Sequence, residues 1–409
     1  NRFSEEKNNI ELDQYIKNLP FQKAKHRKYK SKKVSVDENI FIKETRISTQ
    51  NAFGKILDQY AKNNTEFSQR IITTSPDVSV STNLGPWINR KGLFNRKESS
   101  DTFKDRKIPS AQKWIFSSQG QHIELGIAEM NLFLMLGAAG LSHEFFGERL
   151  FPIGTVYDPF ISRGLDAMNY ACYQDARFMI VGTPSGISLA PEGGAHQSIG
   201  TPLIGISQPG LLSFEPAFAD ELALIMNYGF NFLQDEDGGS IYLRLSTRSI
   251  DQPLREMDNE LKKNIIKGGY WLKKPGANPE VIIIYQGAVA SEVIEATAFL
   301  GERFKDLGVL SVTSSDNLFH EWKKQALSFK NNKTQSHIEK LLESVPKDTR
   351  IITVIDGHPM TLSWIGSVYG HKTIPLGIDR FGQTGNIKDL FNEFGIDTNN
   401  ISNLGFNLS

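Results

Sequence analysis

The 409-residue chain reads as an α/β protein of two doubly wound domains, each a mainly parallel sheet with helices on both faces. Three observations predict this. Short apolar, β-branched runs alternate with helical patterns of ten to fifteen residues from Ser48 to Ser249, and the alternation resumes near Pro279. Glycines punctuate the ends of the strand-like runs. A polar stretch, Asp251 to Lys274, interrupts the pattern. The expected organisation is an extended arm or linker over 1–45, a first domain over 46–250, a linker over 251–261 and a second domain over 262–409.

The elements follow in order. Ser48 to Tyr60 has helical spacing behind a Ser/Thr start signal. RIITTSPDVSV, 70–80, is a strand that ends in a turn, and 86–113 is polar, Gly/Lys/Arg-rich and loop-like. Gly126 to Leu141 is an apolar helix whose only charge is Glu129. A helix apolar nearly all round belongs in a core. ISRGLDAMNYACYQ (161–174) is a helix and RFMIVGTPSGI (177–187) a strand. The Gly-rich loop LAPEGGAHQS (189–198) precedes a short strand near PLIGIS (202–207), an amphipathic helix over 215–233 and a closing strand SIYLRLS (240–246). In the second domain, 279–300 is a strand, Gly turn and helix. Strands at 308–316 and 349–357, a helix at 337–345 and a terminal helix at 387–395 complete it. No tandem repeat is visible.

Lys plus Arg and Asp plus Glu are equal at 46 each, so the neutral chain carries no nucleic-acid or membrane-surface footprint. The basic run Lys23 to Lys33 lacks interleaved aromatics and reads as part of the arm rather than as a nucleic-acid contact. No stretch reaches the ~18 to 20 apolar residues of a membrane span, and the charged start lacks the apolar core of a signal peptide. Cys172 is the only cysteine; it fits a reducing, cytoplasmic setting and reads as a core thiol.

Three sites carry chemistry. A carboxyl inside an apolar helix must pair, bind a ligand or keep its proton, so Glu129 is the first candidate. The second is the loop Pro191-Glu192-Gly193-Gly194-Ala195-His196-Gln197. It follows a strand at the edge where open α/β sheets bind ligands, and His196 suits proton transfer near pH 7. The third is Tyr157-Asp158-Pro159-Phe160-Ile161-Ser162-Arg163, where two aromatics three residues apart can wall a planar ring. Each has a bland reading: a paired core carboxyl, a surface loop, or core aromatics.

Together, G-I-A-E, then F-x-x-R, then E-G-G-A-H-Q occur in the order seen in the thiamine-diphosphate transketolase superfamily. Residues 48–249 resemble its pyrimidine-binding domain, and Pro279 to Asp397, with DRFGQTG at 379–385, its C-terminal domain. The pattern is most similar to the homodimer-type pyruvate dehydrogenase decarboxylating components, with transketolase and deoxyxylulose-phosphate synthase as relatives. The resemblance implies that Glu129 activates the cofactor at a ring nitrogen and that Phe160 stacks on its pyrimidine. Tyr157 and Arg163 fall beside that ring, and Asp77 in TSPDVS lies near the cofactor. His196 and Glu192 serve substrate and proton transfer. Glu192 replaces the Asp that transketolases use for sugar hydroxyls, which favours a small 2-oxo acid.

Two departures accompany the match. The superfamily binds the cofactor's diphosphate and Mg²⁺ through a Gly-Asp-Gly segment and a later Asn, and no such segment occurs here. The expectation is half a cofactor site with no metal ligands in this chain. It would be completed in a homodimer, or in a heterotetramer with a diphosphate-binding chain or domain. Arg248, near where transketolases bind a sugar phosphate, is the second departure. The implied reaction is decarboxylation of pyruvate and transfer of the acetyl group to a lipoyl-bearing acetyltransferase. A ketol transferase acting on sugar phosphates is the enzyme alternative, and a non-catalytic scaffold keeping the fold is another.

Overall fold

The computed structural model describes residues 10–19, 31–38, 40–97, 105–109, 114–328 and 334–407. The strands, in chain order, are β1 (Arg46–Ile47), β2 (Ile71–Ser75), β3 (Leu93–Phe94), β4 (Phe116–Ser117), β5 (His122–Glu124), β6 (Phe151–Val156), β7 (Met179–Gly182), β8 (Leu211–Phe214), β9 (Ser240–Arg244) and β10 (Ile250–Asp251). They continue with β11 (Gly269–Lys273), β12 (Val281–Gln286), β13 (Gly308–Val312), β14 (Arg350–Ile355) and β15 (Thr373–Leu376). Eight of them form a wholly parallel sheet in the order β4-β3-β5-β2-β6-β7-β9-β8. Five form a second sheet, β11-β13-β12-β14-β15, parallel except for the β11 edge. β1 and β10 pair antiparallel as a separate ribbon.

Both sheets are covered on two faces, and the strands show it residue by residue. Met179 and Val181 of β7 enter one apolar cluster with Phe53, Leu57 and Phe230. Ile180, between them, enters the opposite cluster with Leu132, Phe133 and Met168. In β12, Val281, Ile283 and Tyr285 face one core and Ile282 and Ile284 the other. Strands buried on both faces read as continuous apolar runs. The Thr49–Asn63 helix begins where the Ser48 hydroxyl accepts the Asn51 N–H at 3.1 Å.

Several local expectations are corrected. The 1–45 segment is not simply an extended arm: Ile10–Asn18 is helical, and Val34, Val36 and Ile40 are buried against the first core. Most of the basic run lies outside the described residues. Gly85–Lys91 is a helix, not a loop, with Pro86 in its first turn and Trp87 and Ile88 buried. The run PLIGIS is a helix, Thr201–Ser207, again with Pro in the first turn. The linker region contains a helix, Asn259–Lys267, capped by Asp258, and then β11. The chain's last described helix is Thr398–Asn407, beyond the expected terminal one.

The apolar helix is the most consequential correction. It begins at Glu129 and ends at Gly140, and only one face is buried, through Leu132, Phe133 and Leu136. Met130 and Leu134 are exposed, as is Ile127 just before it. Tyr170 and Tyr173, on the adjoining Leu165–Tyr173 helix, and Phe145 and Phe146 are exposed as well. Exposed apolar side chains in such number are characteristic of protein, membrane or ligand contact surfaces. Among the described residues, no helix is long and apolar enough to cross a membrane.

Candidate active site

The candidate residues follow four adjacent parallel strands, β5-β2-β6-β7, all at the carboxyl edge of the sheet. Glu129 opens the helix after β5, and Asp77 follows β2. Tyr157, Phe160 and Arg163 lie in and just before the 3₁₀ turn Asp158–Gly164 after β6. Glu192 and His196 lie on the loop after β7. Open parallel sheets place ligands at this edge.

Contacts join five of the seven. Arg163 pairs with Glu129, whose residue is only 8 % exposed. The Arg163 guanidinium lies 3.8 Å from the centre of the Phe160 ring. Tyr157 stacks on Phe160 at 5.9 Å and 14°, and His196 meets Phe160 edge-on at 5.3 Å. The result is a carboxyl, a planar aromatic wall and an imidazole at one mouth. Glu129 is the first residue of its helix, so the turn that precedes it fixes where its carboxyl lies. The Glu192 and Asp77 side chains are exposed and are not drawn into this cluster. The Asp77 N–H donates to Glu124 Oε1 at 2.7 Å, with Asp77 in the left-handed region at φ 65°.

Beneath the cluster lies a buried ionic network that the sequence reading did not assign. Asp158, fully buried between Tyr157 and Phe160 in sequence, accepts from Tyr242, Ser198, Thr201 and, at 3.0 Å, Arg244 Nε. Arg244 also pairs with Glu215 and donates to the Asp356 carbonyl at 2.8 Å. One guanidinium therefore pairs with two buried carboxyls and a backbone carbonyl. Burial pushes Glu215 up to about 7, with Arg244 and Gln286 opposing and Asp356 and Asp158 adding to the rise. Burial likewise raises Asp356, against the pull of Arg244 and two backbone N–H donors. The one available signal was Arg244 itself, a charge inside the apolar strand SIYLRLS.

Beside Asp77, fully buried His122 contacts the Thr73 hydroxyl at 2.9 Å through Nδ1 and the Ser79 hydroxyl at 3.0 Å through Nε2. Ser79 donates to Glu124, whose carboxyl is lowered: His122 and Ser79 outweigh the opposing burial. Arg248 is engaged elsewhere. It forms a two-pronged pair with Glu292 of the second domain, donates to the Ala288 carbonyl at 3.1 Å and lies 4.7 Å over Phe391.

Glu129 and Phe160 already hold a planar, N–H-bearing group, the Arg163 guanidinium, by one carboxyl contact and one ring face. Among the described residues, no three His, Cys, Asp or Glu side chains converge as a metal ion needs.

Comparisons with known proteins bear on the family and the fold. Residues 32–253 match the pyruvate dehydrogenase E1 component middle domain, and residues 268–397 the transketolase-like C-terminal domain. A pyruvate dehydrogenase E1 component from Cupriavidus necator is 24% identical over 368 residues, 86% of this chain and 40% of that protein. The chain thus spans about two fifths of the length of that relative. Transketolase from Campylobacter jejuni shares the fold, with a TM-score of 0.67 at 19% identity over 97% of this chain and 50% of that one. A split-gene transketolase described as an inactive beta4 tetramer aligns over 88% of this chain and 98% of that chain, with a TM-score of 0.58 at 18% identity. With more than half its length matched by that middle domain, and the second sheet matched as a transketolase-like C-terminal domain, the chain belongs to the pyruvate dehydrogenase E1 family.

Proposed function

We propose that this chain supplies the pyrimidine-binding half of a thiamine-diphosphate site in an enzyme that decarboxylates pyruvate and passes the acetyl group to a lipoyl-bearing acetyltransferase. The observation that carries the reading is the convergence of Glu129, Arg163, Phe160, Tyr157 and His196 at one sheet edge. When bound, thiamine diphosphate supplies a carbon nucleophile and an electron sink for loss of CO₂. Glu129 holds a proton at its carboxyl against a ring nitrogen, and its low exposure excludes water from that contact. Phe160 and Tyr157 orient the ring. His196 moves protons on the substrate side through its imidazole, and Glu192 extends from the same loop toward substrate. Asp77 and Glu124 border the site from β2 and β5.

The diphosphate and Mg²⁺ are held by a second chain or domain, in a homodimer or a heterotetramer. The exposed apolar face beside Glu129, formed by Ile127, Met130, Leu134, Tyr170 and Tyr173, is what such an assembly covers. Two measurements follow. In calorimetry, the isolated chain should bind thiamine diphosphate weakly and with no Mg²⁺ dependence; tight, Mg²⁺-dependent binding would overturn the half-site. Sedimentation should find an oligomer, and a strict monomer would count against the pairing.

The substrate rests on Arg248. Its guanidinium is committed to Glu292 and Phe391 and so is not free to take a sugar phosphate. The completed enzyme should therefore turn over pyruvate with an artificial electron acceptor, and Arg248→Ala should leave that rate within about twofold, as expected away from the reacting groups. Ketol transfer from xylulose 5-phosphate, lost in Arg248→Ala and unaccompanied by pyruvate turnover, would give the site to a transketolase. Neither activity in the completed assembly would favour a scaffold.

A further inference from the structure

The loop that carries His196 is tied both to its own domain, through Thr183, Ser188 and Ser198, and to the second domain. It leaves β7 at Gly182, makes a 3₁₀ turn at Gly194–His196 and enters the next α-helix at Thr201. Near its start, the Ile187 and Ser188 N–H groups donate to the two carboxylate oxygens of Asp356 at 2.8 and 3.2 Å. Asp356 directly follows β14 of the second sheet. Its carboxylate lies so close to Gly186 that a Cβ there would come within 2.2 Å of Oδ2, and Gly186 has φ +65°. Further along, Gly385 N–H donates to the Ala190 carbonyl at 3.2 Å, and Gln197 Nε2 donates to the Gln383 carbonyl at 3.0 Å. At the far end, His358 N–H donates to the Ile199 carbonyl at 2.9 Å. Between these ties, Glu192, Gly194 and Ala195 are exposed.

We propose that Asp356 is a positioning residue: through the paired Ile187 and Ser188 N–H groups, the second domain sets the His196 loop against Phe160. The paired acceptance needs both carboxylate oxygens. An Asn in its place offers one acceptor and turns an N–H₂ toward the other donor. Charge-assisted bonds of this kind are stronger than neutral ones, so the brace is stiff while intact. Gly382 and Gly193 permit the other half of the clasp, because Cβ atoms there would strike Gln197 and Thr384. The inference rests on the reading of His196 as the group that meets substrate.

The test uses the full chain with its completing partner. In Asp356→Asn, amide hydrogen exchange over residues 187–197 should rise roughly 10- to 100-fold, the factor that losing a bond to a charged acceptor carries. Exchange in β7 and β9 should stay unchanged. Turnover should fall by a similar factor, and the His196 ring resonances should shift. Gln197→Leu is the second variant; its buried Oε1 has no partner, so an apolar replacement should leave folding intact while loosening the same loop. Unchanged loop exchange in both variants would overturn the brace. Loosened exchange with full turnover, when His196→Ala is itself inactive, would overturn the positioning role. If His196→Ala is fully active, the functional reading of His196 fails instead, and the exchange data show this separately.

Discussion

Glu129→Gln in the completed enzyme is expected to slow exchange of the cofactor's thiazolium proton by about 10²- to 10⁴-fold, the range of a lost general acid–base group. The substitution keeps the shape and one acceptor toward Arg163, and replaces the ionisable carboxyl with a neutral amide that cannot exchange its proton with the cofactor. Stability should hardly move, because the Arg163 side chain is 51% exposed and water screens the pair. Proton exchange followed by NMR, beside a thermal melt, separates the two effects. Wild-type exchange in the variant would take Glu129 out of the chemistry and leave it as a structural partner of Arg163.

Arg244→Met should have the largest effect on stability. Removing the guanidinium strands Asp158 and Glu215, and breaking a buried ion pair on one side typically costs about 3–5 kcal/mol. The cost should depend on pH, with a definite sign. The Glu215 carboxyl is raised from 4.5 to about 7 in the folded state. The folded chain therefore holds a proton there that the unfolded chain has lost. That contribution is full below pH 4.5 and disappears as pH rises through 7. Without Arg244, the carboxyls are tolerated only while protonated, so the penalty should be smaller at pH 5 than at pH 8. Denaturant midpoints at the two pH values measure it. An equal penalty at both would mean that Glu215 is ionised throughout.

Long central strands were legible because burial on both faces leaves no polar alternation to obscure them; VIIIYQ and RIITVI are examples. The short strands toward one end of the eight-stranded sheet, Leu93–Phe94, Phe116–Ser117 and His122–Glu124, carry too few residues for any period. Two seven-residue helices with Pro in the first turn escape a sequence reading, one inside a polar, Gly/Lys/Arg-rich stretch that looks like a loop and one a short apolar run that looks like a strand. In the site, Glu129 stood out as one charge in an apolar helix. The Asp158–Arg244–Asp356 network did not, since its members lie 86 and 112 residues apart and meet only through the fold. Periodicity also cannot distinguish a helix buried all round from one that leaves apolar side chains exposed, as Met130 and Leu134 are on the Glu129 helix.

The small β1–β10 ribbon has a separate consequence. It pairs Arg46 with Asp251 and Ile47 with Ile250, so the chain enters and leaves the eight-stranded sheet side by side. A unit with adjoining ends can be cut out, transplanted or joined to a different neighbour through a single seam, without rethreading its strands. Such a seam makes recombination between genes inexpensive in structural terms. A graft crossing over within 46–47 and 250–251 should preserve the sheet, whereas crossovers inside it would divide parallel neighbours.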